Sequence, residues 1–136
     1  MATGATMRVE LVSPEKILYS GDATIVICRP EGGDAAFLSG HAPYLGLLGV
    51  GQVLIRTAEG KEVKAAVHGG FIEVRNNKVT ILSDVAELAS EINLERAREA
   101  KSKAESSASG AGAVGSASEA AVALRRANVR LQVATP

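Results

Sequence analysis

The 136-residue sequence has few aromatic residues, no tryptophan and a single cysteine. Because aromatic residues make up only 3% of the chain while hydrophobic residues make up 46%, a folded core must be aliphatic. Cys28 has no second cysteine to pair with, so an intramolecular disulfide is excluded. The absence of disulfides favours a reducing compartment.

The sequence also lacks an excess of either charge and any long apolar run. Its 15 basic and 15 acidic residues cancel, which argues against a nucleic-acid-binding protein, since phosphate contacts need a basic surplus. No apolar run approaches the roughly 18 residues of a membrane span. The first residues, MATGATM, lack the basic and apolar regions of a signal peptide. We therefore expect a soluble protein of the cytosol.

The composition changes near residue 85. Eleven of the 14 glycines, three of the four prolines and all the aromatic residues precede this point. Ala58-Glu59-Gly60 and Asn76-Asn77 separate apolar runs and suit tight turns. The first half therefore predicts an antiparallel β-sandwich or barrel of about 80 residues with seven or more strands. The clearest strand patterns cover residues 7–12, 23–29, 51–57, 61–67, 71–75 and 78–82.

The second half is rich in strong helix formers and predicts two helices. The first runs from about Asn93, which is a good N-cap candidate, to Ser107. A Gly/Ser/Ala-rich connector near 107–116 follows, and Ser116-Ala-Ser-Glu119 matches a capping box that starts the second helix. Apolar residues, mostly alanine, recur at steps of three and four on both helices: Ala97, Ala100 and Ala104 on the first, and Ala117, Ala120, Leu124, Ala127, Leu131 and Ala134 on the second.

These patterns define an α+β chain with three parts. We predict that residues 1–6 form a disordered N-terminal extension, residues 7–86 an antiparallel β-sandwich and residues 87–136 an antiparallel two-helix hairpin. The helix interface is mostly alanine, and at roughly 25 cal/mol per Å² a methyl group contributes little stability. We infer a hairpin that can leave the sandwich at modest cost. The alternative is a static hairpin that covers the sandwich.

Residues suited to catalysis or metal binding are few. Neither His41 nor His68 has a second metal-type ligand at a recognisable spacing, so no metal site is predicted. Cys28 fits a small buried apolar residue better than a reactive thiol. Ser39 and Asp34 lie near His41 in sequence, but a triad requires geometry rather than proximity. The paired glycines match neither a phosphate loop nor a dinucleotide fingerprint, and we predict no catalytic residues.

Basic residues collect towards the end of the second helix. Arg126 and Arg130 are four positions apart and share a face, with Arg125 beside them. The only acidic residue on this helix is Glu119, near its start. One interpretation is a solvated face that complements the helix dipole. The other is a surface that meets carboxylates or phosphates on a partner or a nucleotide.

Taken together, these motifs resemble the epsilon subunit of F-type ATP synthase over about residues 7–134. The resemblance is carried by VELVSPEKILYSGDA, GDAAFLSGHAPYLGLLGVGQVLI, HGGFIEVRNNKVTILSDVAELASEINLERAREAK and ALRRANVRL. The GHAP and GGFIEV-x-x-x-x-VTIL elements are specific in combination, whereas either alone would be weak.

The resemblance implies a non-catalytic subunit of the central rotor, with no active site of its own, at the cytoplasmic face of the bacterial plasma membrane. The sandwich would bind the gamma subunit of the central stalk and sit on the c-subunit ring, with Asp34 and His41 towards that ring. The hairpin would permit ATP hydrolysis when folded and block it when extended into the alpha/beta catalytic head. Arg125, Arg126 and Arg130 would then meet the head.

The resemblance also implies a regulatory ATP site on the folded hairpin; no other cofactor is expected. The matching positions are Glu87, Asn93, Arg96, Lys103, Arg126 and Arg130. Asn93 stands where binding members have aspartate, and Lys103 where they have arginine, so a charge and a planar fork are lost here. Whether ATP binds is therefore left open.

The length of the helical region suits the implied switch. Residues 91–133 as one continuous helix would span about 65 Å, at 1.5 Å per residue. Glycines between 110 and 115 oppose such a helix by up to about 1 kcal/mol each. Two alternatives to a rotor subunit remain: a free-standing β-sandwich that binds its own ligand and carries a helical tail, and a small hydrolase that uses His41.

Overall fold

A computed structural model describes the backbone of residues 5–109 and 114–135, and the side chains of 5–107 and 119–135. This part of the chain forms seven strands followed by two helices, as the α+β prediction required. The strands are β1 (Met7–Val12), β2 (Ile17–Cys28), β3 (Ala35–Leu38), β4 (Tyr44–Thr57), β5 (Glu62–Arg75), β6 (Lys78–Leu82) and β7 (Ala86–Leu88). The helices are α1 (Leu94–Ser109) and α2 (Val114–Ala134), preceded by a 3₁₀ turn at Ala89–Glu91.

The strands form a sandwich whose sheet closes on itself. The strand order is β1-β6-β5-β4-β2-β3, and β1 also pairs with β2, so five strands complete a ring. Strand β3 extends this ring at β2, and β7 pairs with β5. The antiparallel prediction is confirmed for these pairings except β1–β6, which is parallel. This pairing joins residues 8–12 to 78–82, and closure protects backbone groups that an open sheet edge would expose.

The predicted turns form as their residues require. Asn76 and Asn77 have φ values of 51° and 59° and join β5 to β6 as a two-residue hairpin turn. Gly60, with φ of 87°, completes the Ala-Glu-Gly loop between β4 and β5. Both turn predictions are confirmed. They could be made from the sequence because these turns depend on the local backbone conformation of their own residues.

Strand β5 is longer than the sequence patterns indicated. The runs 61–67 and 71–75 belong to one strand that continues through Gly69 and Gly70, both with positive φ. A side chain at Gly70 would overlap the Leu82 carbonyl oxygen. In a regular strand, residues three positions apart face opposite sides of the sheet. The two glycines interrupt this alternation, so that His68, which faces helix α2, and Phe71 are both on the outer surface of the sandwich.

The interior of the sandwich is aliphatic, as predicted. Leu11, Ile55, Ile72 and Ile81 are among its largest fully buried side chains, and Phe37 is the one buried phenylalanine or tyrosine among the described residues. Cys28 is buried there, and burial raises the pKa of its thiol to about 12. This agrees with its interpretation as a small core residue rather than a reactive group.

The helices extend further than expected. Helix α1 continues to Ser109 and α2 already begins at Val114, so the connector predicted at 107–116 is too long. Residues 110–113 and the side chains of the Ser116–Glu119 capping box before Glu119 lie outside the described part of the chain. The predicted disordered extension includes Thr6, whose carbonyl accepts a hydrogen bond from Asn77 Nδ2 at 2.9 Å. Residues 1–4 also lie outside the described part.

Helix α2 packs against two different partners. Towards α1 it presents Ala120 and Ala127, which are buried together with Ala97 and Ala104 as the stripes predicted. Leu124, Leu131 and Ala134 are half-buried, Ala100 is exposed, and the side chain of Ala117 is outside the described part. Towards the sandwich, Val129 and Val133 bury against Ala66 of β5.

The sequence patterns missed this second contact of α2. Full burial of a valine contributes about 1.5–3 kcal/mol, so Val129 and Val133 add more to docking than any single alanine of the hairpin interface. Neither described helix is both long and apolar enough to cross a membrane.

Candidate functional site

A polar cleft of about 220 Å³ lies where the hairpin meets the sandwich. Four of the six predicted nucleotide-binding positions line it, namely Glu87, Asn93, Arg96 and Arg130. The fold therefore brings together residues from β7, the start of α1 and the far end of α2. The remaining lining residues are Glu91, Ile92, Ala97 and Ala100.

Glu87 is the central polar group of the cleft. It is placed by β7, where it lies opposite Ala66 of β5. Its Oε1 atom accepts hydrogen bonds from Arg130 Nε at 2.6 Å and from His68 Nε2 at 3.1 Å. Burial alone would raise the pKa of Glu87, but hydrogen bonds from Arg130 and His68 hold it below its usual range. Glu87 is thus an ionised carboxylate that ties α2 to the sandwich.

His68 is buried beneath this carboxylate, with no exposed side-chain surface. In the sequence, His68 stands out only as a candidate metal ligand. Within the described residues, no three His, Cys, Asp or Glu side chains group closely enough to hold a metal ion. The Gly69-Gly70 pair is a local signal of the break in strand alternation, but the pair does not show which face of β5 is covered by α2.

Asn93 caps helix α1, as predicted. Its Oδ1 atom accepts a hydrogen bond from the Arg96 backbone N–H at 3.0 Å, and its carbonyl accepts one from Ala97 N–H at 3.0 Å. The side-chain oxygen is therefore used by the helix, while the amide NH₂ is a donor. The first turn of α1 and the Arg96 side chain give this wall of the cleft a positive character.

Glu91 is a site residue that the sequence analysis missed. Its carboxylate accepts a hydrogen bond from the Leu88 backbone N–H at 2.9 Å and pairs with Lys16 Nζ. These hydrogen bonds, with Lys16 contributing most, lower the pKa of Glu91. The cleft thus carries two arginines and two carboxylates. An anionic ligand would compete with Glu87 for Arg130.

Two predicted nucleotide-binding residues do not line the cleft. Arg126 lies one helical turn before Arg130 and lines a separate shallow depression with Glu119, Val122 and Ala123. Lys103 is exposed further along α1. Arg125 is also exposed, so two of the three arginines predicted to meet the catalytic head face solvent in this conformation. The third, Arg130, is paired with Glu87.

Asp34 and His41, both predicted to lie towards the c-ring, are in two different loops. Strand β3 lies between them, and Asp34 pairs with Arg29 at 3.3 Å. The His41 ring stacks edge-on against Phe37, with ring centroids 4.8 Å apart, and its Nδ1 donates to the Ala42 carbonyl at 2.7 Å.

The geometry around His41 does not support the alternative of a small hydrolase. Ser39 Oγ donates to Asn77 Oδ1 at 3.0 Å rather than to His41. His41 Nδ1 is held by a backbone carbonyl, and no nucleophile–base pair forms in this loop within the described residues. His41 therefore shapes the turn before Pro43.

An apolar row crosses the outer surface of the sandwich. Register partners on β4, β5, β6, β1 and β2 place five apolar side chains side by side. Four of them are between 48% and 63% exposed, and Val12 is half-buried. Contiguous exposed apolar surface of this kind is typical of an interaction site. The row consists of Leu47, Phe71, Leu82, Val12 and Ile17.

Comparison with known proteins accounts for both halves of the fold. Residues 6–89 match the family model described as the ATP synthase delta/epsilon chain beta-sandwich domain, and residues 90–135 match the delta/epsilon chain long alpha-helix domain. The chain is 45% identical over 128 residues to the ATP synthase epsilon chain of Streptomyces griseus, covering 94% of each. It is 42% identical over 128 residues to that of Streptomyces avermitilis, again covering 94% of each.

Solved structures show the same fold in more distant proteins. A chain of the Euglena gracilis mitochondrial ATP synthase (OSCP/F1/c-ring) aligns over 100% of this chain and 85% of its own length, with a TM-score of 0.85 and 20% identity. A chain of the Tetrahymena thermophila mitochondrial ATP synthase central stalk/c-ring aligns over 98% and 100%, with a TM-score of 0.62 and 15% identity.

The sandwich and the helical hairpin thus define a delta/epsilon-type accessory chain of ATP synthase. This chain belongs to the epsilon subunit family of F-type ATP synthases, which confirms the resemblance drawn from its motifs. Its relatives match over almost their full length, so the family covers the sandwich, the cleft and the hairpin together.

The role of Asn93 as a helix cap gives a direct test. Asn93→Ala should destabilise the start of α1 by roughly 0.5–2 kcal/mol, because the Arg96 N–H loses its acceptor. Asn93→Asp should retain the cap, since a carboxylate accepts the same bond and complements the helix dipole. Hydrogen exchange of the first-turn amides of α1 measures the difference. Equal protection in the alanine variant and the unmodified chain would contradict the capping role.

Proposed function

We propose that this epsilon chain links the gamma subunit of the central stalk to the c-subunit ring and that its hairpin regulates ATP hydrolysis. The observation that supports this most directly is the docked hairpin itself. A small valine contact and the Glu87–Arg130 pair hold it to the sandwich, and an alanine seam holds its two helices together. Such an element can adopt a second position at modest cost.

We propose that the apolar row binds the gamma subunit. The row exposes the adjacent apolar side chains of Leu47, Phe71 and Leu82 to water, which is energetically unfavourable. Burying them against a partner would stabilise a complex by roughly 25 cal/mol per Å² of apolar surface before the costs of association. A permanent position in a rotating stalk needs a stable interface of this apolar kind.

We propose that the end of the sandwich near Asp34 and His41 faces the c-ring. Asp34 is exposed and paired with Arg29 at the start of β3, and His41 lies beyond the end of β3. Both are on the edge of the sheet extended by β3 rather than in the closed part. In the assembled enzyme this would place the chain peripherally at the cytoplasmic face of the bacterial membrane.

We propose that the extended hairpin inhibits hydrolysis through the arginines of α2. Arg125 and Arg126 are exposed and available to meet acidic groups, whereas Arg130 must first leave Glu87. Extension therefore exchanges the intramolecular pair for pairs with the alpha/beta catalytic head. A ligand that binds only the folded hairpin would oppose this exchange by its differential affinity.

We further propose that ATP is such a ligand and binds the polar cleft. Arg96 and Arg130 come from different helices and line one cavity, so a phosphate chain held by both requires the folded hairpin. Asn93 contributes an amide donor in place of a carboxylate, which reduces repulsion of phosphate. The cleft is small, so only part of a nucleotide would be enclosed.

The stalk contact predicts a specific effect of one charge in the apolar row. Phe71→Glu should weaken capture of the gamma subunit by at least tenfold, because it buries an unpaired carboxylate in the interface. Leu38→Glu is a matched control, since both side chains are 53% exposed but Leu38 lies outside the row. Titration of the tagged full-length chain with gamma subunit measures both affinities. Equal affinities in the two variants would contradict the assignment.

The regulatory role predicts the effect of removing the hairpin. Truncation after Leu88 should raise ATP hydrolysis by the assembled ATP synthase, because it removes the proposed inhibitory hairpin. ATP synthesis should be retained, because the sandwich and its apolar row stay in place. Hydrolysis and proton-driven synthesis are measured in membrane vesicles with matched content of the assembled complex. Unchanged hydrolysis in a correctly assembled complex would rule out regulation by the hairpin.

The nucleotide site predicts a selective loss of ATP affinity. Calorimetry of the full-length chain should show ATP binding that weakens roughly 10- to 100-fold in Arg96→Gln, the loss expected for a charge-assisted hydrogen bond. Arg98→Gln should bind as the unmodified chain does, since Arg98 is on α1 but does not line the cleft. Absence of binding at millimolar ATP, or an equal loss in both variants, would refute the site.

A further inference from the structure

His68 lies at the contact between the sandwich and α2 and has an unusual hydrogen-bonding state. Its Nε2 is 3.1 Å from Glu87 Oε1, which also accepts the 2.6 Å bond from Arg130 Nε. An ionised carboxylate only accepts hydrogen bonds, so the imidazole proton is on Nε2. The other ring nitrogen, Nδ1, therefore carries a lone pair in the docked conformation.

The described surroundings of Nδ1 offer no hydrogen-bond acceptor for a proton bound there. This atom is buried, and no hydrogen-bond partner lies within reach of it among the described residues. A proton added to His68 would place an N–H donor and a positive charge at a position that neither an acceptor nor solvent reaches. The Nε2 side of the ring would still face Glu87, but a buried N–H donor at Nδ1 without an acceptor is unfavourable.

The charged groups around His68 act in opposite directions on its protonation. Helix α2 contributes Arg126 and Arg130, which oppose a positive imidazole, while β7 contributes Glu87, which favours it. Strand β4 contributes Val50, the register partner of His68, and no charge. Asp84, in the turn before β7, lines the cavity of about 490 Å³ that His68 also borders.

Undocking of α2 would change every one of these conditions. Departure of the helix would expose the ring to water and remove both arginines, whereas Glu87 would stay on β7. A protonated His68 would then be hydrated and still paired with Glu87. His68 therefore binds a proton more readily in the undocked conformation than in the docked one.

We propose that His68 is a proton-sensitive latch, in which protonation of its Nδ1 releases α2, and with it the hairpin, from the sandwich. This inference rests on the hairpin mobility of the proposed function and adds its chemical trigger. Acidification would free the hairpin to reach the catalytic head, and neutral or alkaline pH would keep it docked.

The direction of the pH effect follows from the pKa of His68. Burial is the largest influence and lowers the pKa of His68 in the docked state; the hydrogen bond and charge of Glu87 raise it, while the charges of Arg130 and Arg126 lower it. Docking is therefore fully stable above the ordinary histidine value of about 6.5 and weakens as pH falls towards the lowered value. The docking constant should fall by up to about tenfold per pH unit in that window.

Glu87 acts in the same direction at lower pH. Its pKa is lowered in the docked state, so its contribution to docking is present above the ordinary value of about 4.3 and is lost only below it. A transition between pH 5 and 7 therefore reports His68 rather than Glu87.

NMR titration of the full-length chain between pH 5 and 8 tests the latch. The methyl resonances of Val129 and Val133 report docking, since both side chains bury against Ala66. We expect these methyl groups to shift towards undocked values on acidification, with the midpoint of the His68 ring titration. His68→Gln keeps a side-chain amide donor but cannot be protonated, so its methyl resonances should be independent of pH in this range. His41→Gln, which changes the other histidine, should retain the dependence.

Two results would overturn the latch. One is titration of the His68 ring in the unmodified chain while both valine methyl groups stay fixed; the other is a pH dependence that survives in His68→Gln. The first needs no variant and so stands even if His68→Gln fails to fold. Failure of the proposed regulation is distinguishable, because truncation after Leu88 would then leave hydrolysis unchanged although the methyl groups still follow His68.

Discussion

The docked conformation of this chain depends on one carboxylate shared by its two halves. Glu87 Oε1 accepts hydrogen bonds from Arg130 on the hairpin and from His68 on the sandwich. Because the carboxylate is partly buried, these hydrogen bonds are stronger than an exposed ion pair would be, and removal of either partner leaves a costly unpaired group. The position of α2, the walls of the polar cleft and the tautomer of His68 all follow from this arrangement.

The rest of the hairpin contributes little beyond that carboxylate and two valines. Ala97, Ala104, Ala120 and Ala127 allow the helices to approach closely, yet each buries only a methyl group. The sandwich, by contrast, closes its sheet around an aliphatic core and gives the chain a rigid base. In the proposed function, the closed sandwich and the hairpin docked on it form a two-state element that a ligand, a partner or a proton can bias.

Local features were predictable from sequence because their causes are local. Asn76 and Asn77 adopt positive φ in a two-residue turn, and Asn93 caps α1 through its own side chain. The alanine stripes identified the face between the helices, and the paucity of aromatic residues required an aliphatic core. Of the predicted cleft residues, Glu87, Asn93, Arg96 and Arg130 do converge, whereas Lys103 and Arg126 point elsewhere.

The sequence by itself therefore determined the fold class, the turns, the helix cap, the small-residue helix seam and, through its motifs, the family. Only the tertiary structure decided the parallel β1–β6 closure, the apolar row, the role of Glu91 and the burial of His68 beneath Glu87. The physical reason is sequence separation. Each of these features joins groups far apart in the chain, and the break at Gly69 and Gly70 changes which face of β5 a residue occupies. Periodicity reports the neighbours of a residue along one element, not the element that packs against it.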